Sequence, residues 1–137
     1  MPLDPHQVNE AIDDAFPSAI AVRCVTLAPD HALVRCPIDP EGSRPGGFVP
    51  GPTQFALVDT ALWYLTFGVV DRVELMALTA DVDMTFLRPA SGRMLWARAD
   101  LLSAGSRKVV GTVRVWCDEA EDRPCAVAKG SYALPRS

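Results

Sequence analysis

The sequence lacks several features that mark whole classes of protein. Its 13 lysine and arginine residues are outnumbered by 17 aspartate and glutamate residues, and the basic residues are scattered rather than clustered. Nucleic-acid-binding proteins usually carry a basic cluster on one face, so we expect no nucleic-acid partner. The opening MPLDPHQVNEAIDD has acids and prolines where a signal peptide would need a basic start and an apolar run. We therefore expect a cytoplasmic protein.

Long apolar runs and metal-binding patterns are also missing. The longest apolar stretch, 55–70, contains Asp59 and is shorter than the roughly 20 residues that a bilayer requires, so we expect no membrane span. The four cysteines form no CxxC pair and have no histidine at ligand spacing, which argues against a zinc site. We expect them to be reduced, buried thiols. Cys117, which lies between Trp116 and Asp118, has no sequence neighbour that would lower its pKa.

The residues that are present suffice for one domain, which we expect to comprise 1–137. Of these 137 residues 49% are hydrophobic, enough to bury a core. Two segments have helical features: a short one that begins at Asp4-Pro5 and ends near Phe16-Pro17, and a long apolar one over 52–67. Six runs have the composition of strands, and the first two form a hairpin: 20–27, 32–38, 74–87, 94–103, 108–117 and 125–134.

The long helix is apolar on nearly every side, which indicates that it is covered nearly all round. One central helix wrapped by a curved antiparallel sheet satisfies that requirement. The element order α-β-β-α-β-β-β-β therefore predicts an α+β fold of this kind.

Asp59 stands out as a carboxylate in the middle of the apolar helix. Burying an ionised carboxylate costs several kcal/mol unless it is paired or hydrogen-bonded, and no lysine or arginine lies three or four residues away. Its partner must come from another segment, another subunit or a substrate. Asp59 is then either structural or catalytic. A structural Asp59 would lie at a dimer interface or accept hydrogen bonds from the backbone.

Gly51 lies eight positions before Asp59, at the expected helix start. Amide groups at a helix start point outward, at the positive end of the helix dipole, and can hold a developing oxyanion. The two residues are about two helical turns apart. We expect them to serve the same small substrate group.

Three segments carry a resemblance to a known family. They are VPGP at 49–52 leading into ALVD at 56–59, LTADVDMTFLRPA at 78–90, and ARAD at 97–100 with GSR at 105–107. The chain resembles, from about Ile20 to Leu134, the hotdog-fold acyl-CoA thioesterases of the phenylacetate-degradation (PaaI-like) type. The resemblance implies hydrolysis of a small, medium or aromatic acyl-CoA, with no metal and no cofactor other than the coenzyme A of the substrate. It also implies a homodimer or dimer of dimers with the active site at the subunit interface.

The resemblance assigns roles to individual residues. Asp59 is the catalytic carboxylate, acting as general base on water or as nucleophile. The amide of Gly51 polarises the thioester carbonyl, and Thr79 reaches in from the partner subunit. Three basic residues occupy regions where family members meet the phosphates of coenzyme A: Arg88, Arg107 and Lys108. Four aromatic residues are candidates for the acyl site: Phe55, Trp63, Phe67 and Phe86.

The sequence departs from the family pattern at the helix start. Many relatives carry His-Gly-Gly where this chain has Pro50-Gly51-Pro52. Thr53 and Gln54 are then the polar side chains that we expect to contact the substrate in place of the histidine.

Two other functions compete with thioester hydrolysis. The missing histidine leaves open a protein that binds acyl-CoA without turnover. A hydratase or dehydratase of the same fold commonly needs a histidine beside a carboxylate, and His6, in the first helix, and His31, in a turn, are poorly placed for it.

Overall fold

The computed structural model describes residues 2–16 and 21–136. Within those residues the chain forms two helices and six strands in the predicted order: α1 (Pro5–Ala15), β1 (Arg23–Ala28), β2 (His31–Pro37), α2 (Gly51–Val70), β3 (Leu78–Phe86), β4 (Met94–Ala104), β5 (Lys108–Cys117) and β6 (Ala126–Ala133). The strand expected over 74–87 is shorter than predicted because it begins only at Leu78. Residues 17–20, which include the expected first residue of β1, lie outside the described ranges.

The strands form one antiparallel sheet in the order β1-β2-β4-β5-β6-β3. Helix α2 packs against all six strands, so the predicted sheet around one long helix is confirmed. The hairpin of β1 and β2 is also confirmed. β3 pairs with β6 and occupies one edge of the sheet, so its other side has no neighbouring strand in the described part of the chain.

Helix α2 is longer than predicted because Gly68 does not end it. A Cβ at Gly68 would clash with the carbonyl oxygen of Ala28, so the glycine lets the helix approach β1 closely. The helix ends at Val70, where the next residue, Asp71, adopts a left-handed conformation with φ 58°. Although α2 has 20 residues, no helix within the described ranges is both long and apolar enough to cross a membrane.

The side of the molecule formed by β3 and the first turns of α2 is not covered. The core between sheet and helix includes Leu57, Leu65 and Phe67, each at most 1% exposed. In contrast, seven large hydrophobic side chains on or near β3 and the start of α2 are at least 39% exposed: Phe48, Phe55, Leu75, Met76, Leu78, Phe86 and Leu87. The expectation that α2 is covered nearly all round is therefore met only on its sheet side.

Candidate active site

Asp59 accepts hydrogen bonds from two hydroxyl groups of the same chain. Thr79, near the start of β3, donates from Oγ1 to Oδ1 over 2.7 Å. Tyr132, near the end of β6, donates its hydroxyl to the same oxygen over 2.6 Å. The two donors are opposite each other in the β3–β6 register. Asp59 is thus stabilised by hydrogen bonds, and no lysine or arginine of the described ranges pairs with it.

The contact with Thr79 corrects one expectation. Thr79 was expected to reach Asp59 from a partner subunit, but the bond forms within one chain. A β-bulge between Thr79 and Asp81 makes this possible. In a regular strand, residues two apart face the same side of the sheet, and consecutive residues face opposite sides. Thr79 and Asp81 are two apart, but they pair with the consecutive residues Tyr132 and Ser131. The bulge thereby turns Thr79 toward α2.

The second carboxylate oxygen of Asp59 is free to react. Both hydrogen bonds end on Oδ1, and no described residue donates to Oδ2. The side chain lies at an open cleft of about 390 Å³, lined by Phe16, Asp59, Thr60, Trp63, Leu75, Ala77, Leu78, Thr79 and Tyr132. Burial, together with the bond to Asp59, raises the pKa of Tyr132 above its usual range, so this hydroxyl stays protonated and remains a donor. The arrangement suits a carboxylate that takes a proton from water or attacks an electrophile.

One aromatic candidate lies beside the carboxylate. Trp63, one helical turn after Asp59, lines the same cleft. Its ring meets Phe16 edge-on at 6.1 Å and packs on Phe67 at 5.0 Å between centroids. Phe67 itself is fully buried and therefore supports Trp63 rather than facing the cleft.

Gly51 is the first residue of α2, but the structure does not bring it to Asp59 within one chain. Eight residues at a rise of 1.5 Å separate the two by about 12 Å along the helix. Gly51 instead contacts Phe86 at the far end of β3, where a Cβ on the glycine would lie 3.3 Å from Cζ.

The two polar candidates at the helix start have different environments. Gln54 is only 4% exposed. Its Nε2 donates to the carbonyl of Val49 over 3.3 Å, and its Oε1 accepts from the thiol of Cys125 over 3.6 Å. The side chain is therefore committed inside the protein, and the expectation that it contacts substrate is not supported. Thr53 is exposed and lines a separate cleft of about 230 Å³.

The basic candidates lie at opposite ends of the sheet. Arg107 precedes β5, and Lys108 at its start pairs with Ala133, which in turn pairs with Leu78. Both cations are thus at the end of the sheet that carries Thr79. Arg88 follows the other end of β3 and lines a different cleft of about 460 Å³.

The expectation of buried thiols is met at Cys24 and Cys125 but not at Cys36 and Cys117, which are partly exposed. The neighbouring Cys125 lowers the pKa of Cys117 to about 7. The proximity of Cys117, together with burial, raises the pKa of Cys125 above its usual range. Cys24 behaves as predicted, because it is 4% exposed and burial raises its pKa to about 12.

Tyr132 is the residue of this site that sequence reasoning missed. In the apolar C-terminal strand it has the pattern of a core residue, and it is indeed 5% exposed. The sequence signal that could have identified it is a hydroxyl-bearing side chain in a strand predicted to be buried, since a buried hydroxyl usually needs a hydrogen-bond partner.

Comparisons with known proteins identify the family and the fold. The sequence profile of the thioesterase superfamily matches residues 46–123. A candidate thioesterase from a Silicibacter species superimposes with a TM-score of 0.85 at 27% identity, covering 98% of this chain and 93% of that chain.

Two more distant structures share the fold. A thioesterase from Haemophilus influenzae gives a TM-score of 0.80 at 17% identity, covering 97% of this chain and 91% of that chain. A point mutant of the phenylacetic acid degradation protein PaaI from Thermus thermophilus gives 0.72 at 22% identity, covering 89% and 100%. The predicted hotdog fold is thus confirmed. No curated protein matches the chain by sequence.

Proposed function

The chain belongs to the thioesterase superfamily, and from this premise we propose that it hydrolyses the thioester of a small, medium or aromatic acyl-CoA to the free acid and coenzyme A. The observation that carries the proposal is the state of Asp59. Its Oδ1 is held by two hydroxyls, while no described residue bonds to Oδ2 at the cleft. A carboxylate held in this way is arranged to react through one defined oxygen.

The reaction requires a nucleophile and a site for negative charge. Oδ2 of Asp59 takes a proton from a water molecule that attacks the thioester carbonyl, or attacks that carbon itself to give an anhydride that water then cleaves. In both cases the carbonyl oxygen becomes an oxyanion, and its collapse breaks the C–S bond. The thiolate takes up the proton, giving one carboxylic acid and one thiol per water consumed. Backbone amides that stabilise such an oxyanion contribute about 10²–10³ in rate.

A second copy of the chain supplies the oxyanion amide in this proposal. Gly51 of the same chain is about 12 Å from Asp59 along α2, too far to bind the same carbonyl. Gly51 contacts Phe86 at the end of β3, and Asp59 contacts Thr79 near its start. If two β3 edges pair antiparallel, the end of each strand lies beside the start of the other. The partner subunit's Gly51 then lies near Asp59, and the dimer contains two equivalent sites.

Exposed apolar surface supports this dimer. β3 is an edge strand, and an unpaired strand edge offers backbone donors and acceptors to another chain. Leu78 and Phe86, at its two ends, are 65% and 51% exposed. Large apolar side chains exposed at both ends of an edge strand are typical of an interface.

In the same antiparallel pair of β3 strands, the three candidate cations lie around one site. Arg107 and Lys108 lie at the sheet end that carries Thr79, and the partner subunit's Arg88 would approach that end from across the pair. Arginine and lysine are the usual ligands of phosphate groups. We therefore assign these three side chains to the phosphates of coenzyme A.

The test is turnover of an acyl-CoA panel followed by chromatography. The panel runs from acetyl to long-chain and aryl groups, and separation avoids thiol dyes, with which the four cysteines would react. Asp59→Asn keeps the shape of the side chain and removes its charge, so we expect at least a 100-fold loss of kcat, as for a missing catalytic base. Asp14→Asn, an exposed carboxylate on α1, is the matched control and should retain full activity.

Two results would overturn the proposal. One is an Asp59→Asn variant that turns over the substrate as fast as wild type. The other is a wild-type protein that binds acyl-CoA in calorimetry yet hydrolyses no member of the panel. The second result would establish the acyl-CoA-binding alternative instead.

A further inference from the structure

We propose that Tyr132 is a positioning residue, which holds Asp59 so that Oδ2 is the oxygen presented to the substrate. This inference rests on the proposed thioester hydrolysis. It concerns a residue beyond 46–123, the part of the chain that matches the superfamily profile. It also lies outside the three segments that carry the resemblance.

Two donors on one oxygen fix the orientation of the carboxylate. The terminal torsion of an aspartate side chain is broad, so the carboxylate plane of an unrestrained Asp59 would adopt many orientations. Thr79 and Tyr132 approach Oδ1 from two different strands, at 2.7 and 2.6 Å. Rotation of the carboxylate would break both bonds at once.

Tyr132 is held more rigidly than Thr79, the other donor to Asp59. Thr79 lies on the exposed edge strand β3, whereas Tyr132 is 5% exposed on β6. β6 is paired on both sides, with β3 and β5. The phenol ring is packed in the core, so its hydroxyl has a fixed position, and the raised pKa of Tyr132 keeps it a donor. Loss of this hydroxyl should therefore disturb Asp59 more than loss of the threonine hydroxyl.

The experiment compares two tyrosine-to-phenylalanine variants. Tyr132→Phe keeps the ring and removes the bond to Asp59. Tyr64→Phe is the matched control, because the Tyr64 hydroxyl is also buried but has no hydrogen-bond partner among the described residues. We expect Tyr132→Phe to lower kcat about tenfold or more with little change in KM, the effect of losing a hydrogen bond to a charged group. Tyr64→Phe should change neither.

A second measurement does not depend on the folding of Tyr132→Phe. In wild type the Tyr132 hydroxyl proton should give a downfield, slowly exchanging NMR signal, which should be lost in Asp59→Ala. The inference is overturned if that signal is absent in wild type. It is also overturned if Tyr132→Phe has the kcat and KM of Tyr64→Phe while Asp59→Asn is inactive. An active Asp59→Asn would instead overturn the proposed function, and the inference with it.

Discussion

Gly51 and Phe86 are in contact where α2 begins and β3 ends, since a Cβ on the glycine would lie 3.3 Å from Cζ of the ring. Asp59 and Thr79 make the corresponding contact near the start of β3. The amide at the head of the helix and the carboxylate in its middle are thus associated with opposite ends of one strand. This separation is the structural reason to expect that a complete site needs two chains.

Removal of the Gly51 amide should abolish most of the activity. Proline is favoured at the first position of a helix because the missing N–H has no helical partner there, so Gly51→Pro should fold. We expect a loss of about 10²–10³ in kcat, the effect of removing an oxyanion donor. Gly51→Ala is the control, since it adds the Cβ beside Phe86 but keeps the amide. Equal turnover by the two variants in the acyl-CoA assay would exclude the amide from the reaction.

A charge at Phe86 should separate the subunits. Phe86→Glu places like charges at both ends of the proposed antiparallel β3 pair, and charged residues on edge strands oppose strand pairing. We expect the dimer mass measured by light scattering to fall to the monomer mass at micromolar concentration. Leu102→Glu should remain a dimer, because Leu102 is equally exposed, at 59%, but lies on β4. A monomeric wild type with full turnover would contradict the shared site.

Gly68→Ala should destabilise the protein even though alanine is the better helix former. In a helix interior the change from glycine to alanine usually stabilises by up to about 1 kcal/mol. Here the new Cβ would clash with the carbonyl oxygen of Ala28, and overpacking costs about 1–3 kcal/mol. We expect a lower urea midpoint at unchanged m-value. Gly105→Ala, with open space around the glycine, should change the free energy of unfolding by less than about 0.5 kcal/mol.

Cys117 should be the thiol most readily alkylated near neutral pH. Its pKa is lowered to about 7 by the neighbouring Cys125. Below that pH the thiol is protonated and unreactive, and above it the thiolate reacts. Iodoacetamide labelling, followed by peptide mass spectrometry, should therefore rise through pH 7 at Cys117 and leave the buried Cys24 unmodified.

The effect of Cys125 can be tested separately. Cys125→Ala removes the neighbouring thiol, so the labelling midpoint of Cys117 should move toward the ordinary range of a thiol. A midpoint that does not move would show that Cys125 does not stabilise the thiolate.

The sequence was sufficient to predict the elements of the fold because each has a local signal. The carboxylate of Asp4 accepts from the amide of Gln7, as the sequence predicts for a helix start, and β5 has the predicted bounds. The predicted end of α2 at residue 67 is wrong. The role of Gly68 depends on Ala28, which is distant in sequence. The late start of β3 likewise depends on a distant residue, because Leu78 pairs with Ala133, the last residue of β6.

The candidate site was predictable only where the chemistry is visible in the chain itself. Asp59 is conspicuous because a charge interrupts an apolar helix. Gln54 is expected from the sequence to contact the substrate because it is polar, yet it is buried beside Cys125. Tyr132 is brought to Asp59 by the pairing of β3 with β6, and Thr79 is turned inward by a bulge. Neither the register nor the bulge has a signature in the amino-acid sequence.

The sheet order has a consequence for synthesis on the ribosome. β3 is made before β4 and β5, but it pairs with neither of them and needs β6, which begins at Ala126. Until β6 emerges, Thr79 has no neighbouring strand and Asp59 lacks the hydroxyl of Tyr132. A nascent chain that ends before β6 therefore exposes the apolar edge of β3 without a functional site, which makes this strand the point at which translational arrest would favour aggregation.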